Sequence, residues 1–475
     1  MRAHSLRSRY AGLVTLGLVA FLAVWGRFHI TGFAEEEQSV ASAQRGSGDE
    51  RHKRHSGFEV WIADQSDTRA GFGGQLLVYD GADLMGRHAA EAEPIVRLDL
   101  GAETSDLCRA ATGRNPVRPH MVVFNNKHTH AVLAFVASGH VVIFDAVARK
   151  PLNCIETTVG TTKTRQAHAA FPAPDGSFIL VANQNGKRLE RIDTNFATNT
   201  FTLNPAATLD LMTCTTPSGQ PCEHPDTRPI NWPICPIIDS NSRYAFVTLR
   251  GGGLFVVNAR TTPMSIVGEY DKVTVRGNGC GGTEVAGKMY INSGGSPVNV
   301  SGTDPHHPAL YGFDVYRFPL KGYSSANAPN TPLPEVLLSK SGASDSHGVV
   351  PTNHGRYLWA LDRHANVAEI IHLKSGKWVN TVPLTGPVSD DPAPDLVDAS
   401  PDGKRLFVAL RGPVPLSGDP HNAQGTTPGL GIIEVTHGGR SGTLLARVPM
   451  TNANQQAGQA PDAHGLRVRL TRLKK

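Results

Sequence analysis

Residues 165–193, RQAHAAFPAPDGSFILVANQNGKRLERID, and 394–410, PDLVDASPDGKRLFVAL, are two copies of one unit. Each has a short apolar segment, a Pro-Asp-Gly turn and a β-branched and aromatic run, and the longer copy adds a polar loop and a third apolar run. This predicts strand, tight turn, strand, loop, strand. Related copies start at Pro119 (PHMVVFNNKHTHAVLAFVASGHVVIFD), Ile234 (ICPIIDSNSRYAFVTLRGGGLFVVN) and Ser346 (SHGVVPTNHGRYLWALDRHANVAEIIHL). A degenerate copy at Cys280 has TEVAGK in place of the turn and continues as MYIN. One more apolar run, such as KWVNTVPL from Lys377, follows each copy and supplies a fourth strand. Four-stranded units at a period of about 40 to 50 residues are propeller blades.

The ends complete the count. From Phe58 the chain holds three runs (EVWIAD, QLLVYD, PIVRLDL) without a preceding inner strand, and its last run, AHGLRVRL from Ala463, is an inner strand with nothing after it. Joined, they make a seventh blade and remove two exposed sheet edges. The expected fold is all-β, a seven-bladed propeller of four-stranded antiparallel blades over residues 58–470, closed by its C-terminal strand.

The APDGSFILVAN and SPDGKRLFVAL turns resemble those of the YVTN-type seven-bladed propellers of bacterial envelopes, over the whole region after Phe58. The resemblance implies the fold far more specifically than an activity, because that superfamily includes scaffolds, lactonases, quinoprotein-dehydrogenase subunits and copper enzymes.

The leader points to the same compartment. Arg2, Arg7 and Arg9 precede the apolar run AGLVTLGLVAFLAVW, so residues 1–34 are expected to be a signal peptide or an N-terminal membrane anchor. Residues 35–57 are expected to be a flexible stalk and 471–475 a basic tail, which places the propeller in the periplasm or otherwise outside the cytoplasm. The net charge of +5 lies partly in the termini, with no basic stripe interleaved with aromatics, which excludes nucleic-acid binding. Membrane contact is expected only through the N-terminal segment.

Six cysteines suit an oxidising compartment. Cys214 and Cys222 flank TTPSGQP, a loop that a disulfide would close; Cys108 and Cys154, placed in loops near one blade, are a weaker pair. Cys235 and Cys280 belong to inner-strand heads, so a bond between them would cross neighbouring blades at the channel mouth.

Those heads carry the candidate site. Aligned on the following turn, His168 stands before Gly176 as His347 does before Gly355 and Asp395 before Gly403. The series is His120, His168, Cys235, Cys280, His347, Asp395 and His464, one per blade. Such a funnel of nitrogen and sulfur donors suits copper or zinc rather than calcium or magnesium. The expected ligands are drawn from His120, His168, His347 and His464, joined by His306 and His307 from a long insertion in blade five; Asp419 and His421 lie in a comparable loop of blade seven. The bland alternative is that each imidazole hydrogen-bonds a neighbouring blade's backbone and no cofactor is held.

Three functions follow. The first is a small ligand or transition metal in the funnel, with redox activity open; the resemblance extends here to the nitrous oxide reductase N-terminal domain and to methanethiol oxidases of the selenium-binding type, although no cupredoxin-type Cys-His-Met segment is present. The second is a lactonase-like hydrolase, for which Asp395 and Asp398 would have to hold a divalent ion. The third is a non-catalytic scaffold docking an envelope protein on its top face, as the methylamine dehydrogenase heavy subunit does. Catalysis is left open by the sequence, and thiol nucleophiles at Cys235 or Cys280 have no assignable base.

Overall fold

The computed structural model describes residues 57–294, 312–324, 331–417 and 424–471. Seven four-stranded antiparallel sheets form the ring. Blade one joins β1 (Phe58–Asp64), β2 (Gln75–Asp80) and β3 (Val96–Asp99) to β28 (Ala463–Leu470), in the order β28-β1-β2-β3. The other blades follow in chain order. Their inner strands are β4 (Pro119–Phe124), β8 (Ala167–Pro172), β12 (Pro233–Ile238), β16 (Gly282–Val285), β20 (Ser346–Thr352) and β24 (Pro394–Ala399).

Closure is by register. Phe58 pairs with Leu470 and Asp64 with Ala463, while Gln65 N donates to Asp462 O at 3.0 Å and Thr471 N to Gly57 O at 2.9 Å. An ion pair of Arg469 with Glu59 at 3.0 Å spans the same two strands.

Burial follows blade geometry. The second strands, such as β9 (Phe178–Asn183) and β21 (Tyr357–Asp362), are buried at every residue because blades cover both faces, so they read as continuous apolar runs. The outermost strands, such as β7 (Lys150–Glu156) and β23 (Lys377–Pro383), are mostly part-exposed. The turns between first and second strands need one left-handed residue. Gly176 and Gly403 supply it with φ of 75° and 66°, and His128 and Ser242 occupy equivalent positions at 53° and 56°.

One placement differs from the sequence expectation. Cys108 and Cys154 are not in loops: Cys108 is on a helix, α3 (Ser105–Thr112), after the short α1 (Gly81–Met85) and α2 (Leu100–Glu103), and Cys154 is on β7. His130 opens β5 (His130–Phe135) and is buried. The leader, residues 35–56 of the stalk, residues 472–475 of the basic tail, Asp304, His306, His307, Asp419 and His421 lie outside the described residues.

Candidate metal centre at the propeller axis

The side chains of the series reach the axis because the inner strands are bulged. In six of the seven blades the register of the first strand pair slips beside the series residue: between Pro119 and Met121, Ala167 and Ala169, Pro233 and Pro236, Ser346 and Val349, Pro394 and Val397, and, on the partner of β28, Ile62 and Asp64. A bulge adds one residue to one strand and re-aims its side chain. The inner strands then approach closely. A Cβ on Gly281 would lie 2.6 Å from His347 O, one on Gly348 2.4 Å from Asp395 O, and one on Gly465 2.3 Å from His120 O. Glycine follows Cys280, His347 and His464 because the next blade's carbonyl occupies that space.

All seven residues are buried. They form a plug, and the nearby cavity lined by Met121, Cys280, Gly348, Leu396 and Leu466 has about 20 Å³, room for about one water. The plug divides in two. Donor atoms of His347, Asp395 and His464, from blades six, seven and one, lie within 4.8 Å of one another, and so do those of His168, Cys235 and Cys280, from blades three, four and five. His120 of blade two stands between, stacked on His464 at 3.6 Å and edge-on to His168 at 4.6 Å between ring centroids.

The cysteines correct one expectation. Cys235 and Cys280 are bonded to each other across neighbouring blades, as Cys108 is to Cys154 and Cys214 to Cys222. In this state they are not thiolates, so the ring holds four imidazoles and a carboxylate but no thiol ligand and no thiol nucleophile, despite the close approach of their sulfurs to His168.

Each imidazole is tethered through one nitrogen. His347 Nδ1 is bonded to Asp395 Oδ1. His464 Nδ1 donates to His120 O at 3.0 Å, and His168 hydrogen-bonds the backbone of Ile234 on the next inner strand. His120 Nδ1 meets Gln65 Nε2 at 2.6 Å and Ser417 Oγ at 3.2 Å. The other nitrogens of two rings, His120 Nε2 and His168 Nδ1, are buried with no hydrogen-bond partner.

Two arginines, which the sequence series omits, surround the carboxylate. Arg363 reaches Asp395 Oδ2 at 2.9 Å and Asp345 at 2.6 Å, and Arg411 reaches Asp395 Oδ2 at 2.8 Å and Asp462 at 2.7 Å. Burial opposes the Asp395 charge, yet His347, His464 and Arg363 hold its carboxyl well below the usual range. Burial likewise opposes the charge of Arg411, and Asp462 and Asp395 outweigh it, raising its pKa. Burial first, then neighbouring imidazoles, keep His120 well below 6.5; burial is also the largest cause for His464, also well below, and for His168, down to about 3. These three rings are therefore neutral at physiological pH, each with a lone pair on one nitrogen.

A signal for the arginines was present. Gln65, Arg363 and Arg411 each follow the last residue of a second strand (Asp64, Asp362, Leu410), and Asp345 and Asp462 precede His347 and His464 by two residues. An Asp-x-His at the inner-strand head paired with Arg just past the second strand marks the ion pairs.

No protein-family model and no curated protein matches the chain. Solved structures do. The class defined by the fold is the seven-bladed β-propeller, and its structural neighbours include lactonase-like propellers. They include the periplasmic gluconolactonase of Pseudomonas aeruginosa (13% identity, TM-score 0.51, 87% of this chain and 99% of that one). A putative 6-phosphogluconolactonase of Bacteroides fragilis is similar at 12% identity and TM-score 0.50, again over 87% and 99%. At such identities the likeness is one of fold.

Proposed function

We propose that the protein is an exported, YVTN-like propeller that holds one late first-row metal ion, copper or zinc, among His347, His464 and His120 at its axis. The observation behind it is the leftover nitrogen: His120 Nε2 is fully desolvated and has no partner. An unsatisfied buried polar atom costs about 1–3 kcal/mol, a cost that a bound ion would remove. Metal-binding histidines have one N–H on a carbonyl or carboxylate and the other nitrogen on the metal, and His464 on His120 O and His347 on Asp395 follow that arrangement. Asp395 is then the group that orients His347, its second oxygen being held by Arg363 and Arg411.

His120 fits once the Gln65 amide is turned end over end, an ambiguity inherent in amide placement. Oε1 then accepts from His120 Nδ1–H, Nε2 donates to Ser417 Oγ, and His120 Nε2 keeps its lone pair for an ion. Neutral imidazole is the form that binds, and it suits copper and zinc alike. Copper would supply one-electron chemistry to a small ligand, zinc a Lewis acid. Three disulfides suit an oxidising compartment and so support export.

A lactonase-like site has less behind it, because a hard divalent ion needs free oxygen donors and both oxygens of Asp395 are engaged. Metal analysis of protein exported and purified without chelators tests the proposal. The expected result is about one equivalent of copper or zinc per chain, lost when His347→Ala and His464→Ala are combined. Metal-free wild-type protein would overturn it.

A further inference from the structure

We infer that the opposite half of the ring is a second, latent metal site: on reduction of the Cys235–Cys280 disulfide, the two sulfurs and His168 bind a thiophilic ion, zinc or copper(I). It uses none of His347, His464 and His120, and so does not depend on the ion proposed above.

The site is assembled before the disulfide opens. Cys235 lies on β12 and Cys280 just ahead of β16, on neighbouring blades, with Cα atoms 5.1 Å apart. One donor atom from each cysteine and from His168 lies within 4.8 Å of the other two. Two sulfurs at about 2.3 Å from one tetrahedral ion are about 3.8 Å apart, a separation that side-chain rotation supplies once the bond opens. The independent observation is His168 itself. It is 8% exposed, and its Nδ1 is buried without a hydrogen-bond partner, which is the condition of a ligand nitrogen with its ion absent. Two thiolates and one imidazole are a donor set for zinc or copper(I) and a poor one for calcium or magnesium.

The step balances with a dithiol reductant. Its two thiols deliver two electrons and two protons, the Cys235–Cys280 bond breaks to two thiols, and the reductant becomes a disulfide. The incoming ion displaces both thiol protons. Exchange with a disulfide oxidant, which takes the two electrons and, with two protons from water, becomes a dithiol, restores the S–S bond and releases the ion, so loading of this half of the ring follows the dithiol–disulfide poise of the compartment.

Cobalt(II) is the probe. Full-length protein is stripped with chelator, reduced with a phosphine, desalted without oxygen and titrated. The expected result is a thiolate-to-cobalt charge-transfer band that appears only after reduction and saturates at about one equivalent. It survives in Cys214→Ser with Cys222→Ser, and disappears in Cys235→Ser with Cys280→Ser. His168→Ala, which leaves the disulfide intact, keeps the band and weakens cobalt at least about tenfold; it carries the test if the serine pair does not fold. Absence of the band in reduced wild type, its persistence without Cys235 and Cys280, an unchanged affinity in His168→Ala, or loss of β-sheet dichroism on reduction each overturns the inference. Native metal bound to His347 and His464 is measured in the oxidised protein, so either proposal fails without the other.

Discussion

His140, on the second blade away from the axis, and His168 at the axis share burial and a depressed pKa. They differ in what their nitrogens meet. His140 opens β6 (His140–Asp145) with a fully buried side chain; its Nδ1 is 2.9 Å from Ser138 Oγ and its Nε2 2.9 Å from Thr112 Oγ1. Hydroxyls donate or accept as required, so either tautomer is satisfied. His168 spends one nitrogen on the Ile234 backbone and leaves Nδ1 with nothing. Burial and pKa therefore do not separate a structural histidine from a ligand in this fold. What separates His168 from His140 is the unmatched nitrogen, which His120 shares, and both proposed sites rest on it.

The two regions also differ in how charge is handled, and the largest expected effect comes from breaking the axial arrangement. His140 relies on neutral hydroxyls, whereas the axis buries Asp395 and Asp462 against Arg411 with no exposed surface on any of the three side chains. Arg411→Ala leaves two desolvated carboxylates short of their counter-charge and should lower stability by about 3–5 kcal/mol in urea unfolding. Arg405→Ala, which breaks the partly exposed pair with Glu434, should cost no more than about 1 kcal/mol. Equal effects would show that water reaches the axial carboxylates and would remove the basis for treating them as fixed orienters of His347.

The sequence makes the ring legible and its interior much less so. A repeat fixes register, so the Pro-Asp-Gly turns at Gly176 and Gly403 locate the inner-strand heads, and Cys235 and Cys280, about one blade apart at equivalent heads, are in position to bond. What the repeat hides is departure from itself. Among the described residues, the helix that carries Cys108 has no counterpart in other blades, so its bond to Cys154 has no periodic signature. Gln65 and Ser417 are not ligand-type residues, and their role at His120 arises from loops that converge only in three dimensions. The division of seven equivalent positions into two clusters is likewise a matter of bulges and rotamers. Equivalent backbone positions do not impose equivalent partners.

Acid should expose the His140 region. Burial, with Arg114 and Arg165 adding to it, lowers its pKa from 6.5 to about 4. Above pH 6.5 the ring is neutral in both folded and unfolded chains, and its contribution to stability is fully present. As pH falls toward 4 the unfolded chain takes up a proton that the folded one refuses, so stability is lost over that interval, by about 3 kcal/mol for a shift of this size. Urea midpoints taken from pH 7 to pH 4 should slope downward, and His140→Asn should flatten part of the slope. An identical pH profile in the variant would contradict the assignment of His140 as a neutral structural residue.

The smallest effect is the most direct test of the comparison itself. In metal-stripped, oxidised protein, His140→Leu removes two hydrogen bonds, to the part-buried hydroxyls of Ser138 and Thr112, which keep Val117 N and Cys108 O as partners, and should cost about 2 kcal/mol. His168→Leu removes one hydrogen bond to the Ile234 backbone but also one unsatisfied nitrogen, and leucine fills much of the same volume. Those terms oppose each other, so the cost should stay within about 1 kcal/mol. The ordering matters more than either value: if His168→Leu proves the more damaging, the axial imidazole has a structural partner in the metal-free state, and the unmatched nitrogen loses its standing as the mark of a ligand.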